Sequence, residues 1–423
     1  MKSRSEYQKS VLPSGLRIVT EQVPSARSVA FGVWIDTGSR DETREVNGIT
    51  HFIEHMLFKG TKTRNAREIA SSLESLGGSL NAFTSREQTC FHAVVLDEHT
   101  PQAVDVISDI VMNSTLSPVN LEREKLVVME EIREVDETPS DLIHDLFSNC
   151  FWRGQALGWP IMGSIRNIKS MTRGGLLKHL RNHYRAGRVV ISAAGNISHQ
   201  RLLKLVRGRF EFASGGRGQE KAVSSPDRFL LKSYQKKGNQ THLCIGFPGV
   251  SFSSPERNVL LALHAYLGGG MSSVLFQKIR EDKGIAYTVY TFPDFYRDGG
   301  LLGIYLAADK KKVPSAIDIV LRELRKVKRE RLSTDKLFKV KEQIKGNMTL
   351  SLESTMSRMS RLARQEIMIG RRISIDESLR AIDRITADDI IEIARRILRH
   401  DIMTVTSLGS AHEDEMAAVD WKL

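Results

Sequence analysis

Cysteine is scarce in this sequence: there are three in 423 residues, Cys90, Cys150 and Cys244, with no C-x-x-C pair among them. That excludes a disulfide-stapled scaffold and a cysteine-based zinc ribbon, and it suits buried free thiols in a reducing compartment. Long apolar runs are missing too. None approaches the roughly 20 residues that a membrane-spanning helix needs. The first ten residues, MKSRSEYQKS, are polar and carry no apolar secretion core. A cytoplasmic protein without a membrane partner is therefore the expectation. Also absent is a basic stripe interleaved with aromatics. The net charge is +12, but the basic residues lie scattered over helix faces such as KVKRERLSTDKLFKVKEQIK (326–345), with acidic residues between them. A solvated helix face accounts for that pattern, and no nucleic-acid partner is expected.

What is present is ample material for cores: 41% of residues are hydrophobic and 26% charged. The length exceeds one ordinary core, so two or more domains are expected. Residues 11–45 read as two strands joined by a turn, followed by a helix over 47–60. Residues 66–76 read as a helix stopped by Gly77-Gly78, and SLNAFTSREQTCFHAVVL reads as a hairpin turning near Ser85–Glu87. Helices follow over 101–113 and from about Pro118, then near 176–184. VVISAAGN reads as a buried strand, and 199–209 as a helix. Residues 212–226 (FASGGRGQEKAVSSP) change to a Gly/Ser-rich, polar character that marks a linker.

The order of elements then repeats. FHAVVLDEHTPQAVDVISDIV in the first half resembles LGIYLAADKKKVPSAIDIVLREL in the second. This reads as a duplication. The fold class expected is α+β, in two homologous halves, each an antiparallel sheet packed with helices. The domains are set at 1–211 and 227–423, joined by the linker.

The chemistry concentrates in NGITHFIEHMLFKG (47–60), where His51, Glu54 and His55 stand in an H-x-x-E-H spacing. Residues three and four apart share a helix face, so the three side chains converge. Two neutral imidazoles suit a divalent transition metal, and the carboxylate between them suits a general base. Ile49, Phe52, Ile53, Met56 and Leu57 form an apolar stripe on the opposite face. Asn47 is read as the N-cap and Gly60 as the stop. A catalytic site of this type needs a third protein ligand. The acidic helix LEREKLVVMEEIREVDE offers both Glu130 and Glu131, and spacing leaves the two open. In the second half, laying LGGG on LFKG puts Leu261, His264 and Ala265 on His51, Glu54 and His55, so no metal is expected there. His264 reads as a core histidine.

These motifs together resemble the insulinase/pitrilysin family of zinc metallopeptidases, in its mitochondrial-processing-peptidase-like branch; H-x-x-E-H is the inverzincin order. The resemblance covers essentially the whole chain. It implies a zinc metalloendopeptidase with one Zn²⁺ per chain, held by His51, His55 and Glu131, with Glu54 as base. It also implies that Glu124 supports the ligands from behind. Arg280, Gly284 and Tyr287 in REDKGIAY resemble a family element that contacts substrate, so Arg280 and Tyr287 are implied as oxyanion donors. Asn81, Ala82 and Phe83 resemble the edge strand to which an extended peptide adds. Two positions depart from the family pattern: Val274 where an Arg often follows Ser-Ser, and Gln155-Ala156-Leu157-Gly158 in place of a His-Pro-Leu-Gly-like run. Both lie outside the metal set and bear on substrate detail. The implied partners are a peptide substrate and a second subunit, forming a homodimer around a closed chamber or a heterodimer with a homologue. Manganese or cobalt are alternatives to zinc. The alternative function is an inactive peptide-binding or scaffold subunit. A metal-storage protein fits less well, because a fixed base beside an open coordination shell suits hydrolysis.

Overall fold

The computed structural model describes residues 6–216, 218, 222–410 and 413–423. Residues 1–5 of the polar start and residues 217 and 219–221 of the expected linker lie outside the described residues. The chain forms two units. The first takes Met1–Arg133, Trp159–Lys221 and Leu350–Arg372; the second takes Glu134–Gly158, Ala222–Thr349 and Ile373–Leu423. Each unit therefore includes a helical segment from the other side of residues 212–226.

In the first unit the strands are β1 (Glu6–Val11), β2 (Arg17–Gln22), β3 (Ser28–Ile35), β4 (Ser79–Thr84), β5 (Thr89–Leu96) and β6 (Val189–Gly195). They form one sheet in the order β1-β2-β6-β3-β5-β4. Two local readings change. β1 arises in polar sequence and pairs with β2 around a turn in which Gly15 adopts φ +93°. β2 and β3, read as neighbours, are separated by β6, whose seven residues are all buried. β6 reaches that place through long helical connections, so it runs parallel to β2 and antiparallel to β3.

The second unit repeats the arrangement with β7 (Leu230–Gln235), β8 (Gln240–Pro248), β9 (Ala286–Phe295), β10 (Gly300–Asp309) and β11 (Thr404–Gly409), in the order β7-β11-β8-β10-β9. Its parallel pair is β7 with β11. Strand for strand this matches β2-β6-β3-β5-β4, including which pair is parallel. The α+β class and the duplication both hold. Each sheet departs from all-antiparallel pairing at that one place among the described residues.

Both faces of each sheet are covered. In the first unit the helix Thr355–Ile369 buries Met359, Leu362, Ala363 and Ile367 against Trp34, Val190 and their neighbours. In the second unit the helix Pro139–Phe151 buries Ile143, Phe147 and Phe151 against Cys244, Leu301 and Tyr305. The linker's composition carried no sign of this exchange, because the signal is the apolar stripe of each helix, which names no partner. Among the described residues no helix is long and apolar enough to cross a membrane.

Phe147 reaches the second sheet over Gly246 of β8, where an added Cβ would stand 2.2 Å from the ring. Gly246→Val is expected to lower the stability of this unit by about 1–3 kcal/mol through overpacking. Urea denaturation followed by tryptophan fluorescence measures it.

Candidate metal centre

The helix Ile49–Leu57 positions the site. Ile49, Phe52, Ile53, Met56 and Leu57 are all buried in the first unit's core, as the stripe requires, which leaves His51, Glu54 and His55 half-buried on the other face. Its start differs from the reading. Gly48, with φ +97°, takes the N-cap, because an added Cβ would lie 2.5 Å from the Met162 carbonyl. The capping oxygen comes from Glu42. Its Oε2 accepts from the Gly48 amide and from Asn47 Nδ2, and its Oε1 from the Thr50 amide, each at 2.8 Å. Asn47 thus donates to the capping carboxylate and does not cap the helix itself. Glu42 is buried, and burial pushes its pKa up to about 7, against the hydrogen bonds from Thr50, Gly48 and Asn47. A carboxylate at a helix N-terminus also meets the positive end of the helix dipole. This residue was missed in the sequence, since it lies six positions before the N-cap and capping patterns are read within the first turn.

The helix Pro118–Glu137 brings the third group. One ligand atom from each of His51, His55 and Glu131 lies within 4.8 Å of the others. His55 Nε2 is 3.4 Å from Glu131 Oε2. Glu130, which spacing could not separate from Glu131, points elsewhere. It pairs with Arg133 and is 71% exposed. Glu124, two turns earlier on the same face, is buried, and its Oε1 accepts the His55 Nδ1–H at 2.8 Å. That bond leaves the Nε2 lone pair of neutral His55 facing Glu131. Lys59 closes the chain of contacts, with Nζ 2.9 Å from Glu124 Oε2.

The two imidazoles sit in different fields. Burial lowers the His51 pKa to about 4, helped by the charge of His55. Burial also pulls His55 down, but the Glu124 hydrogen bond and the charges of Glu131, Glu124 and Glu54 outweigh it and raise its pKa. Glu124 is held low: burial opposes ionisation, and the hydrogen bonds from His55 and Lys59 overcome it. Burial raises Glu54, partly offset by a hydrogen bond from Thr84.

Does a metal fit? The donor set is two imidazoles and one carboxylate, the His₂Glu combination of catalytic zinc sites. His51 Nδ1 is buried without a hydrogen-bond partner. The fit rests on the three ligand atoms, one from each residue, standing within 4.8 Å of one another without rearrangement.

Asn81, Ala82 and Phe83 lie on β4, the edge strand of the sheet. Alternation splits them. Phe83 packs edge-on against Trp34 at 5.4 Å, on the face covered by the helix Thr355–Ile369. Thr84 lies on the opposite face and reaches Glu54, a residue the sequence reading left unassigned although it is next to Phe83. The period of two along β4 was the available signal.

In the second unit Arg280 stacks on Tyr287, with its guanidinium carbon 4.6 Å from the ring centroid, and on Phe276 at 4.8 Å. Tyr287 is 75% exposed. Both line a cleft of about 400 Å³ that His264 also borders. His264 Nδ1 is 2.7 Å from the Thr291 hydroxyl, and burial lowers its pKa to about 4. It is a satisfied, neutral histidine with Leu261 and Ala265 at the other two motif positions.

The family described as Insulinase (Peptidase family M16) matches residues 17–165, and that described as Peptidase M16 inactive domain matches residues 170–344. The chain is 41% identical over 390 residues to the uncharacterized zinc protease YmxG of Bacillus subtilis, covering 92% of this chain and 95% of that protein. It is 32% identical over 421 residues to the mitochondrial-processing peptidase subunit beta of Saccharomyces cerevisiae, covering 95% and 90%. Among solved structures, a protease from Helicobacter pylori superposes with a TM-score of 0.90 at 19% identity, covering 96% of this chain and all of that one. A peptidase M16 inactive domain from Pseudomonas fluorescens gives 0.89 at 17% identity, covering 96% and 99%. The two structures share the fold.

Glu42→Ala removes the acceptor of two helix amides and the Asn47 amide. It is expected to destabilise the first unit by about 2–3 kcal/mol, seen as an earlier urea transition and as faster amide exchange at Gly48 and Thr50.

Proposed function

Because this chain belongs to the insulinase family, peptidase family M16, we propose that it is a zinc-dependent endopeptidase acting on peptides or unfolded segments in extended conformation. The observation that carries this reading is the convergence of His51, His55 and Glu131 beside Glu54. Relatives named as zinc proteases support it. His51, His55 and Glu131 would hold the ion, and a zinc bound there supplies Lewis-acid activation of a water molecule and a peptide carbonyl.

The chain's own groups do the rest. Glu54 takes the proton from the attacking water and returns it to the leaving amine. Glu124 holds His55 in the tautomer whose Nε2 is free, and Lys59 balances the Glu124 charge. The open edge of β4 at Asn81, Ala82 and Phe83 offers main-chain hydrogen bonds to an extended substrate. On the family motif, Arg280 and Tyr287 are the proposed donors to the developing oxyanion. A homodimer belongs to the same proposal and rests on the family resemblance. Light scattering that returns a single chain mass would remove that part.

The main test is incubation with a diverse peptide mixture, with and without chelator, read by mass spectrometry. Chelator-sensitive cleavage is expected. Glu54→Gln should retain zinc while losing hydrolysis by a factor of roughly 10²–10⁴. A wild-type chain that binds no zinc and cuts nothing would leave the inactive-subunit alternative standing. Separately, Glu124→Gln is expected to weaken zinc binding about 10–100-fold, as competition with a fluorescent chelator would register.

A further inference from the structure

We propose that Thr84 is the positioning residue for the Glu54 carboxylate, fixing Oε2 so that Oε1 alone is presented to the reacting water. Thr84 Oγ1–H donates to Glu54 Oε2 at 2.5 Å. Among the described residues no hydrogen bond reaches Oε1, so the two oxygens have separate tasks. A glutamate's terminal torsion is broad. Unheld, this carboxylate has the His51, His55 and Glu131 donors as neighbours and can turn into the ligand set. A charge-assisted bond to a hydroxyl on another element removes that freedom.

The hydroxyl itself stands on a rigid mount. Thr84 ends β4, where the chain turns through Ser85–Gln88 closed by the Ser85 amide donating to the Gln88 carbonyl at 2.7 Å. The turn is clamped from outside. Ser39 and Arg40 amides donate to the Ser85 and Arg86 carbonyls at 3.2 and 2.8 Å. Arg40 pairs with Glu87 at 2.5 Å, both nearly enclosed, and Arg86 Nη1 donates to the Trp159 carbonyl at 2.9 Å. Gly38 makes this approach possible, since an added Cβ would lie 2.3 Å from the Ser85 carbonyl oxygen. Three anchors for one short turn fix the end of β4 against the 38–41 segment and Trp159.

In the second unit the corresponding helix position makes a different contact. There Thr291 of β9 contacts His264, the residue that falls on Glu54 in the duplication. Thr291 stands in mid-strand opposite Ile304, whereas Thr84 closes its strand opposite Thr89, so the two threonines occupy different register positions. Only in the first unit is the helix residue an acid beside metal donors.

This inference rests on Glu54 being the base, and the test separates the two. Thr84→Val keeps the shape and removes the hydroxyl; Thr84→Ser keeps the hydroxyl. With the zinc-loaded chain and a cleaved peptide, Thr84→Val should keep zinc stoichiometry and KM and lower kcat about 10–100-fold. Thr84→Ser should recover most of it. Unchanged kcat in Thr84→Val overturns the proposal, as does a loss that follows zinc content or KM and is not rescued by serine. Crystal structures of the metal-free wild type and Thr84→Val give a readout independent of activity. The Glu54 carboxylate should leave its position in the variant, and an unmoved carboxylate counts against Thr84. If the wild type cleaves no peptide, the peptidase reading fails and the crystallographic comparison alone decides on Thr84.

Discussion

Burial of one face of the helix Ile49–Leu57 is the constraint on which the site depends. Five apolar side chains sit in the core, each worth about 1.5–3 kcal/mol on full burial. Turning the helix to hide either histidine would expose several of them. No single hydrogen bond at the site, at about 1.5–3 kcal/mol for a bond to a charged group, could oppose the five together. The core therefore sets the helix rotation, and His51, Glu54 and His55 face the ligand side as a consequence. Glu42 then pins the start of the helix, and Thr84 meets it from the strand alongside.

Within that frame the charges are distributed unequally. His51 is kept neutral by burial, whereas His55 is tied through Glu124 to Lys59. The outcome is one imidazole with a free buried nitrogen and one with an assigned tautomer. Both states suit a divalent ion, but they are reached by different physics, desolvation in one case and a directed hydrogen bond in the other. Glu131 joins the set because it is seven residues beyond Glu124 on a single helix, so the two carboxylates share one face.

The duplication explains why one chain carries one such site. The sheets match strand for strand. The second unit lacks the donors themselves: leucine and alanine occupy the histidine positions, and His264 is occupied by its bond to Thr291. The second unit instead presents an exposed Tyr287 with Arg280 stacked on its ring.

The sequence by itself determined the local chemistry: the H-x-x-E-H face, its apolar opposite face, the hairpin at 79–96 and the repeat. These depend on helix and strand periods, which are properties of neighbouring residues. It could not choose between Glu130 and Glu131 by spacing, since both lie near the right face of one helix, and the choice came first from family resemblance. Only the tertiary structure turned Glu130 to Arg133 and Glu131 to His55. Only there did Glu42 become a cap, Thr84 a partner of Glu54, and the helices 139–151 and 355–369 change units. The Glu131–His55 and Thr84–Glu54 contacts and the two helix dockings join residues far apart in the chain, whereas Glu130–Arg133 and Glu42–Gly48 are local contacts that the helix and loop geometry decides. An apolar stripe or a lone carboxylate states that it needs a partner, and only the packed fold decides which one it has.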